Sequence, residues 1–196
     1  MSTFGICQQL TDYIVDCRPQ TVGGVKRQIY IAKKSDIVDF IYNVDNSIGG
    51  INFVGGVPAF YEIDCRPNQS SYTVVSNGGD GAGSLNSTPT LTFSIDGFKQ
   101  ETMNISDILQ TNSPNGLVVI FGTNEITSTG ESRLVLLGAS GDGLDVFGTT
   151  AAGTGTAKTD ATGYTFTVSG TTLKAQAEIT PTSGTNVAFI AGILHP

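Results

Sequence analysis

Apolar and polar residues alternate along much of this chain, most cleanly in Thr90 to Asp96, TLTFSID. There Leu91, Phe93 and Ile95 fall on one side and Thr90, Thr92 and Ser94 on the other. A period of two puts successive side chains on opposite faces, so the run predicts a half-buried antiparallel strand. Two further runs are apolar without interruption: Leu117 to Phe121, LVVIF, and the core of Arg133 to Gly138, RLVLLG. Short continuous apolar runs predict strands buried on both sides, with a helix above and a second sheet below. The polar turn Asn124 to Ser132 between them makes the two runs antiparallel partners at the centre of the core. Val25 to Ala32, Ile48 to Val54, Ala59 to Cys65, Ser71 to Ser76, Tyr164 to Val168, Leu173 to Thr180 and the closing Asn186 to Leu194 bring the expectation to about ten strands. Gly49 and Gly50 mark a bulge in the second of these.

Helical spacing is convincing once. Ile105, Ile108 and Leu109 stand at i, i+3 and i+4, with Asn104 as cap, Asp107 in the first turn, and Asn112, Pro114 and Gly116 as the stop. A start as early as Gln100 fits the same pattern. Ile37 to Val44 mixes periods and reads as one helical turn leading into a strand. Asn77 to Pro89, NGGDGAGSLNSTP, reads as a loop. A segment of Gly, Thr and Ala at 147–163 separates two β-like runs and reads as an extended loop or arm. The expectation is a single domain over 1–196: all-β, a mainly antiparallel sandwich or small barrel, with one flanking α-helix. One short amphipathic helix among strands lies against a sheet.

Composition sharpens that picture. Charged residues are 14 % of the 196, against roughly 25 % in ordinary soluble domains, and 25 residues are glycine. A surface of Ser, Thr, Asn and Gly suits a protein whose faces are covered by its own copies, because charge is depleted from interface cores. The net charge of −7 opposes binding nucleic acid by neutralising phosphates. Lys26, Arg27, Lys33 and Lys34 cluster and read as a solvated strand guarded against edge pairing, while Lys158 and Lys174 are alone beyond residue 140. The N-terminus, MSTFGICQQL, lacks a basic segment followed by an apolar run, and no stretch approaches about 18 consecutive apolar residues. The expected setting is the cytosol, with release by lysis and no membrane.

Candidate chemistry is sparse. Cys7, Cys17 and Cys65 form no CxxC and match neither a zinc site nor a disulfide scaffold. The single histidine, His195, stands one residue from the end, a poor place for a triad member. The acidic pairs Asp12 with Asp16 and Asp142 with Asp145 come without any Trp to form a sugar platform and read as surface carboxylates. Asn77 to Gly83, with Asp80, is like one turn of a calcium β-helix repeat, but such sites come from stacked copies. Gly138, Gly141 and Gly143 lack the Lys-Ser/Thr pair of a phosphate loop. No catalytic, cofactor or metal residue is assigned. Asp64-Cys65-Arg66-Pro67 repeats Asp16-Cys17-Arg18-Pro19 and reads as a recurring strand exit at proline.

Several short features recur in order: Gly-Gly-Val-Lys-Arg with Ile29, Tyr30 and Ile31 after Cys17; Thr90 to Leu109; Leu117 to Phe121; Leu136-Leu137-Gly138 to Gly143-Leu144; and Asp160 to Tyr164 leading into TFTVSG. Together, over nearly the whole chain, they resemble the tail tube (major tail) proteins of tailed bacteriophages, especially those of Bacteroidetes phages. That resemblance implies a virion protein assembled in the host cytoplasm, with no enzymatic activity and no cofactor. It implies partners that are copies of itself in stacked, hexameric rings, other tail proteins and in some tails a sheath, with double-stranded DNA passing through the lumen unbound. A head decoration, tail terminator or fibre domain, or a soluble ligand-binding β-module, are the other readings that the composition permits.

Overall fold

The computed structural model describes residues 23–78, 85–97, 99–127, 130–146, 151–153, 162–172 and 176–196. Cys7, Cys17, Asp12, Asp16, Asp80, Lys158 and Lys174 lie outside them.

The described residues form two packed sheets and two helices. The larger sheet holds β1 (Val25–Lys33), β2 (Ile37–Tyr42), β3 (Ile48–Phe53), β4 (Tyr61–Asp64), β7 (Leu117–Ile126), β8 (Ser132–Leu137) and β12 (Ala177–Ile179), in the order β2-β3-β12-β8-β7-β1-β4. Its pairs are antiparallel except β12 with β3. The smaller sheet runs β10-β11-β6-β5, from β5 (Ser71–Gly78), β6 (Leu85–Asp96), β10 (Ala151–Gly153) and β11 (Gly163–Ser169), with the two-residue β9 (Asp145–Val146) also pairing β11.

The two continuous apolar runs meet as expected at the centre, Val119 opposite Leu137 and Ile120 opposite Leu136. Alternation explains why neither run contains a polar residue. Leu117, Val119 and Phe121 point into the space between the sheets, against Leu91, Phe93, Phe166 and Val168. Val118 and Ile120 point the other way, against Phe60, Leu136, Ile179 and Ile193. Full burial of such a side chain contributes roughly 1.5–3 kcal/mol, and β7 does this on both faces.

That second face is covered by a helix the sequence pattern does not signal. Asn186 to Leu194 is α2 (Asn186–Ile193), capped by the Thr185 hydroxyl, which accepts from Ala188 N at 3.2 Å. Phe189, Ile190 and Ile193 lie on the outer cluster. NVAFIAGI is apolar almost all round, so it has no amphipathic period to separate it from a buried strand. The expected helix, α1 (Gln100–Asn112), starts at the early bound. It buries Leu109 on the inter-sheet side and does not cover the far face. Asn104 is inside α1 and caps nothing; its side chain accepts from Gln100 Nε2 at 2.9 Å. Thr102 serves the helix start, accepting from Lys99 N at 3.0 Å.

Three smaller expectations also shift. Asn77 to Pro89 is not one loop: β5 and β6 extend into it as a hairpin, with Asn77 opposite Asn86, and only 79–84 fall outside the described residues. The helical turn expected at the start of Ile37 to Val44 is not there: Ile37–Tyr42 is strand from its first residue, and the one turn of 3-10 helix precedes it at Lys34–Asp36. Within 147–163, Ala151–Gly153 is an edge strand on β11, with Ala152 opposite Tyr164; the other described positions there are 162 and 163, and the rest lies outside. The bulge falls where the glycines place it. Tyr42 pairs Ile48 and Ile41 pairs Gly50, leaving Gly49 unpaired.

Candidate functional site

The outward face of the smaller sheet follows from its alternation. Leu91, Phe93 and Ile95 of β6 and Phe166 and Val168 of β11 turn inward, so their neighbours take the opposite face, and apart from Asp96 those neighbours carry hydroxyls; the four threonines are half-buried, and Ser94 and Ser169 are buried. Across the β6–β11 pair, Thr90 meets Ser169 at 3.0 Å, Thr92 meets Thr167 at 3.2 Å, and Ser94 meets Thr165 at 2.9 Å. Each pair is a directly opposed register position. Ser71 and Thr73 of β5 oppose Thr92 and Thr90 and continue the array. Cross-strand hydroxyl pairs of this kind contribute roughly 0.2–1 kcal/mol each. The face carries no charge until its end, where Arg66 pairs Asp96 and donates to Thr162 O at 2.9 Å.

The titratable candidates do not converge. His195 is exposed, its ring stacked on Tyr61 with centroids 4.9 Å apart, and its backbone N donates to Phe60 O at 2.8 Å. Asp142 and Asp145 are exposed. Among the described residues, no group of three His, Cys, Asp or Glu side chains is placed to hold a metal ion. No helix of the described residues is long and apolar enough to cross a membrane.

The Gly138, Gly141 and Gly143 loop has the wrong polarity for an anion. Gly138 and Ala139 turn their carbonyl oxygens toward the Lys34 ammonium, at 3.3 and 2.6 Å, and Lys34 also stands 4.7 Å from the Phe40 ring centroid. A loop that offers acceptors holds a cation, here one from its own chain. Burial lowers the Lys34 pKa. The basic cluster is thereby split. Arg27 pairs Asp64 across β1 and β4 through two contacts of 2.5 and 2.6 Å, while Lys34 faces the 138–139 turn.

Cys65 is buried at 1 % exposure. Burial, aided by the Asp64 carboxylate, pushes its thiol from an ordinary 9.0 up to about 12, and burial pushes Tyr72 from 10.0 up to about 12. Tyr72 packs on Phe121 with centroids 5.1 Å apart and donates to Gln176 Oε1 at 2.6 Å. Both groups are neutral in the fold and release protons more readily when unfolded. Their contribution to stability is complete below pH 9 and is lost as pH rises toward 12. Urea midpoints are therefore expected to be level from pH 7 to 8.5 and to fall between pH 9 and 12. Cys65→Ala with Tyr72→Phe should flatten that fall, and an unchanged slope in the double variant would contradict it.

Two grooves open on the larger sheet. One, of about 450 Å³, lies between α2 and β1/β7 and is lined by Lys26, Tyr30, Glu131 and Ile190. The Glu131 carboxylate there accepts from Asn186 N at 3.0 Å and so serves the start of α2. The other, of about 500 Å³, lies between α1 and the edge strand β4, with Ile31, Tyr61, Ile63, Ile105, Ile108 and Leu109 among its lining residues.

Among the described residues, fold and surfaces define a two-sheet β-protein with a hydroxyl-rich face on its smaller sheet and two grooves on its larger one. Comparison with known proteins adds no relative: no family model matches the chain, no curated protein matches it, and no solved structure matches it.

Proposed function

We propose that this chain is a self-assembling structural subunit, specifically a bacteriophage tail tube protein that stacks in rings around a channel for DNA ejection. The observation that carries the assembly part is the outward face of β6 and β11. Burying a charged face removes charges from water at a cost of several kcal/mol each, whereas these hydroxyls already hydrogen-bond one another and lose little when a second surface covers them. The chain's low charge content extends the same property to the rest of its surface. The tube in particular rests on the resemblance carried by Gly23 to Ile31, Leu117 to Phe121 and Leu136 to Leu144. A balance of −7 agrees with a lumen that does not grip phosphates.

Negative-stain microscopy of concentrated protein tests the proposal. Rings or long tubes are expected. Trimers would favour a decoration or fibre protein, and a strict monomer at every concentration would remove the assembly reading. Deleting residues 154–161 tests the arm separately. Folded monomers that no longer polymerise are expected, and unimpaired tubes would make that stretch an ordinary surface loop.

A further inference from the structure

Among the described residues the larger sheet ends at β4, and the outward row of backbone groups on such an edge is a template for any other strand. Cys65 N donates to Arg27 O at 2.9 Å, and Tyr61 and Ile63 oppose Ile31 and Ile29, so the odd-numbered residues turn their backbone groups toward β1. The even-numbered ones, Phe60, Glu62 and Asp64, turn theirs outward.

At Phe60 that outward pair is taken. Phe60 N donates to Ile193 O at 3.1 Å, and Phe60 O accepts from His195 N at 2.8 Å, the two bonds that a parallel strand makes around Leu194. The His195 ring adds its stack on Tyr61, with centroids 4.9 Å apart. These contacts come from the stretch that follows α2, which stops because Leu194 is extended, with φ −70° and ψ 138°. Ile193 is buried in the outer cluster and anchors that stretch, whereas Leu194 is half-buried and His195 exposed.

We infer that residues 193–195 form a strap that withholds the β4 edge from other strands, and that the strap lifts without the sheets opening. A strand entering along β4 needs the outward groups of Phe60, Glu62 and Asp64 together, and with Phe60 occupied it cannot pair along the whole edge. The other two positions are guarded differently. Their exposed carboxylates disfavour pairing with a second acidic strand. Beyond Ile193, the strap holds β4 by one backbone hydrogen bond and one ring stack, few enough contacts for local opening while the sheets stay closed. The inference does not rest on the tail tube reading.

Two measurements on the full-length chain test it. In the unsubstituted protein, amide exchange relative to unstructured rates should be at least about tenfold faster at Phe60, on the strap side, than at Cys65, on the β1 side. Equal protection would mean that the strap opens only with the sheet and would overturn the inference. The second uses Glu62→Cys, at an exposed position of the edge, alone and combined with His195→Pro, which removes the N–H that Phe60 O accepts. Under mild oxidation of dilute protein, peptide mapping should find the disulfide joining position 62 of two chains forming about tenfold faster with His195→Pro, whereas His195→Ala, which keeps the N–H, should leave the rate near that of Glu62→Cys alone. Equal rates with and without His195→Pro would overturn the inference, as would an equal acceleration by His195→Ala, which would give the closure to the ring stack.

Discussion

Gly116→Ala is expected to cost about 3–5 kcal/mol, enough to leave a domain of ordinary stability partly unfolded at room temperature. Gly116 ends the turn that leads from α1 into β7 and has φ +72°, a conformation where a side chain costs of order 1–3 kcal/mol. The backbone of the 142–143 turn lies directly against it. An added Cβ would fall well inside contact with Asp142 O and 3.3 Å from Gly143 Cα. Backbone cannot rotate away as a side chain can. Moving the turn would also break the reciprocal bonds between Leu117 and Leu144, 2.7 Å from Leu117 N and 2.8 Å from Leu144 N. Those bonds hold the start of β7, whose next residues fill both cores. A urea titration of Gly116→Ala against the parent and Gly192→Ala reads the effect directly. Gly192 has open space at its Cβ, so Gly192→Ala should be neutral or stabilising. Equal midpoints for Gly116→Ala and the parent would mean that the crossing of the two turns is not as tight as described.

The second large effect separates the two faces of one strand. Phe93→Ala is expected to cost about 3–5 kcal/mol, because Phe93 is fully buried between the sheets and stacks on Phe166 with centroids 5.4 Å apart. Its removal leaves a cavity in the cluster where β6 and β11 pack against the larger sheet. Thr92→Val, one residue away, should change stability by no more than about 0.5 kcal/mol. Among the described residues its hydroxyl bonds Thr167, a half-buried residue at the opposed position of β11. Thermal or urea unfolding of the pair should therefore show one collapse and one near-silent change. A large loss from Thr92→Val would mean that the outer hydroxyls are structural and not a face available for contact.

These two positions also show what was legible in the sequence. The period of two in TLTFSID told which side of β6 is buried and which bears hydroxyls, and it continued in TFTVS of β11. That Ser94 and Thr165 oppose one another was not legible, because register between strands some 70 residues apart is set by the whole sheet. The pairing of Leu117 to Phe121 with Arg133 to Gly138 could be read because both runs are continuously apolar and a short polar turn joins them. The crossing of Gly116 with Gly143 could not, since a glycine chosen for lack of a Cβ looks like any turn glycine. α2 was missed for a different reason: an apolar segment without amphipathic period reads as strand, and only Thr185, three residues before Ala188, signalled a cap. The groove beside β4 was invisible, because it is made by α1 and an edge strand distant in sequence.

Self-association is the central claim, and the particle mass of the purified full-length chain tests it most directly. Sedimentation velocity over a hundredfold range of concentration, with each sample examined by negative stain, should show mass rising well above that of one chain and images of rings or stacked tubes. A single species with the mass of one chain across the whole range, and fields without rings or tubes, would contradict it.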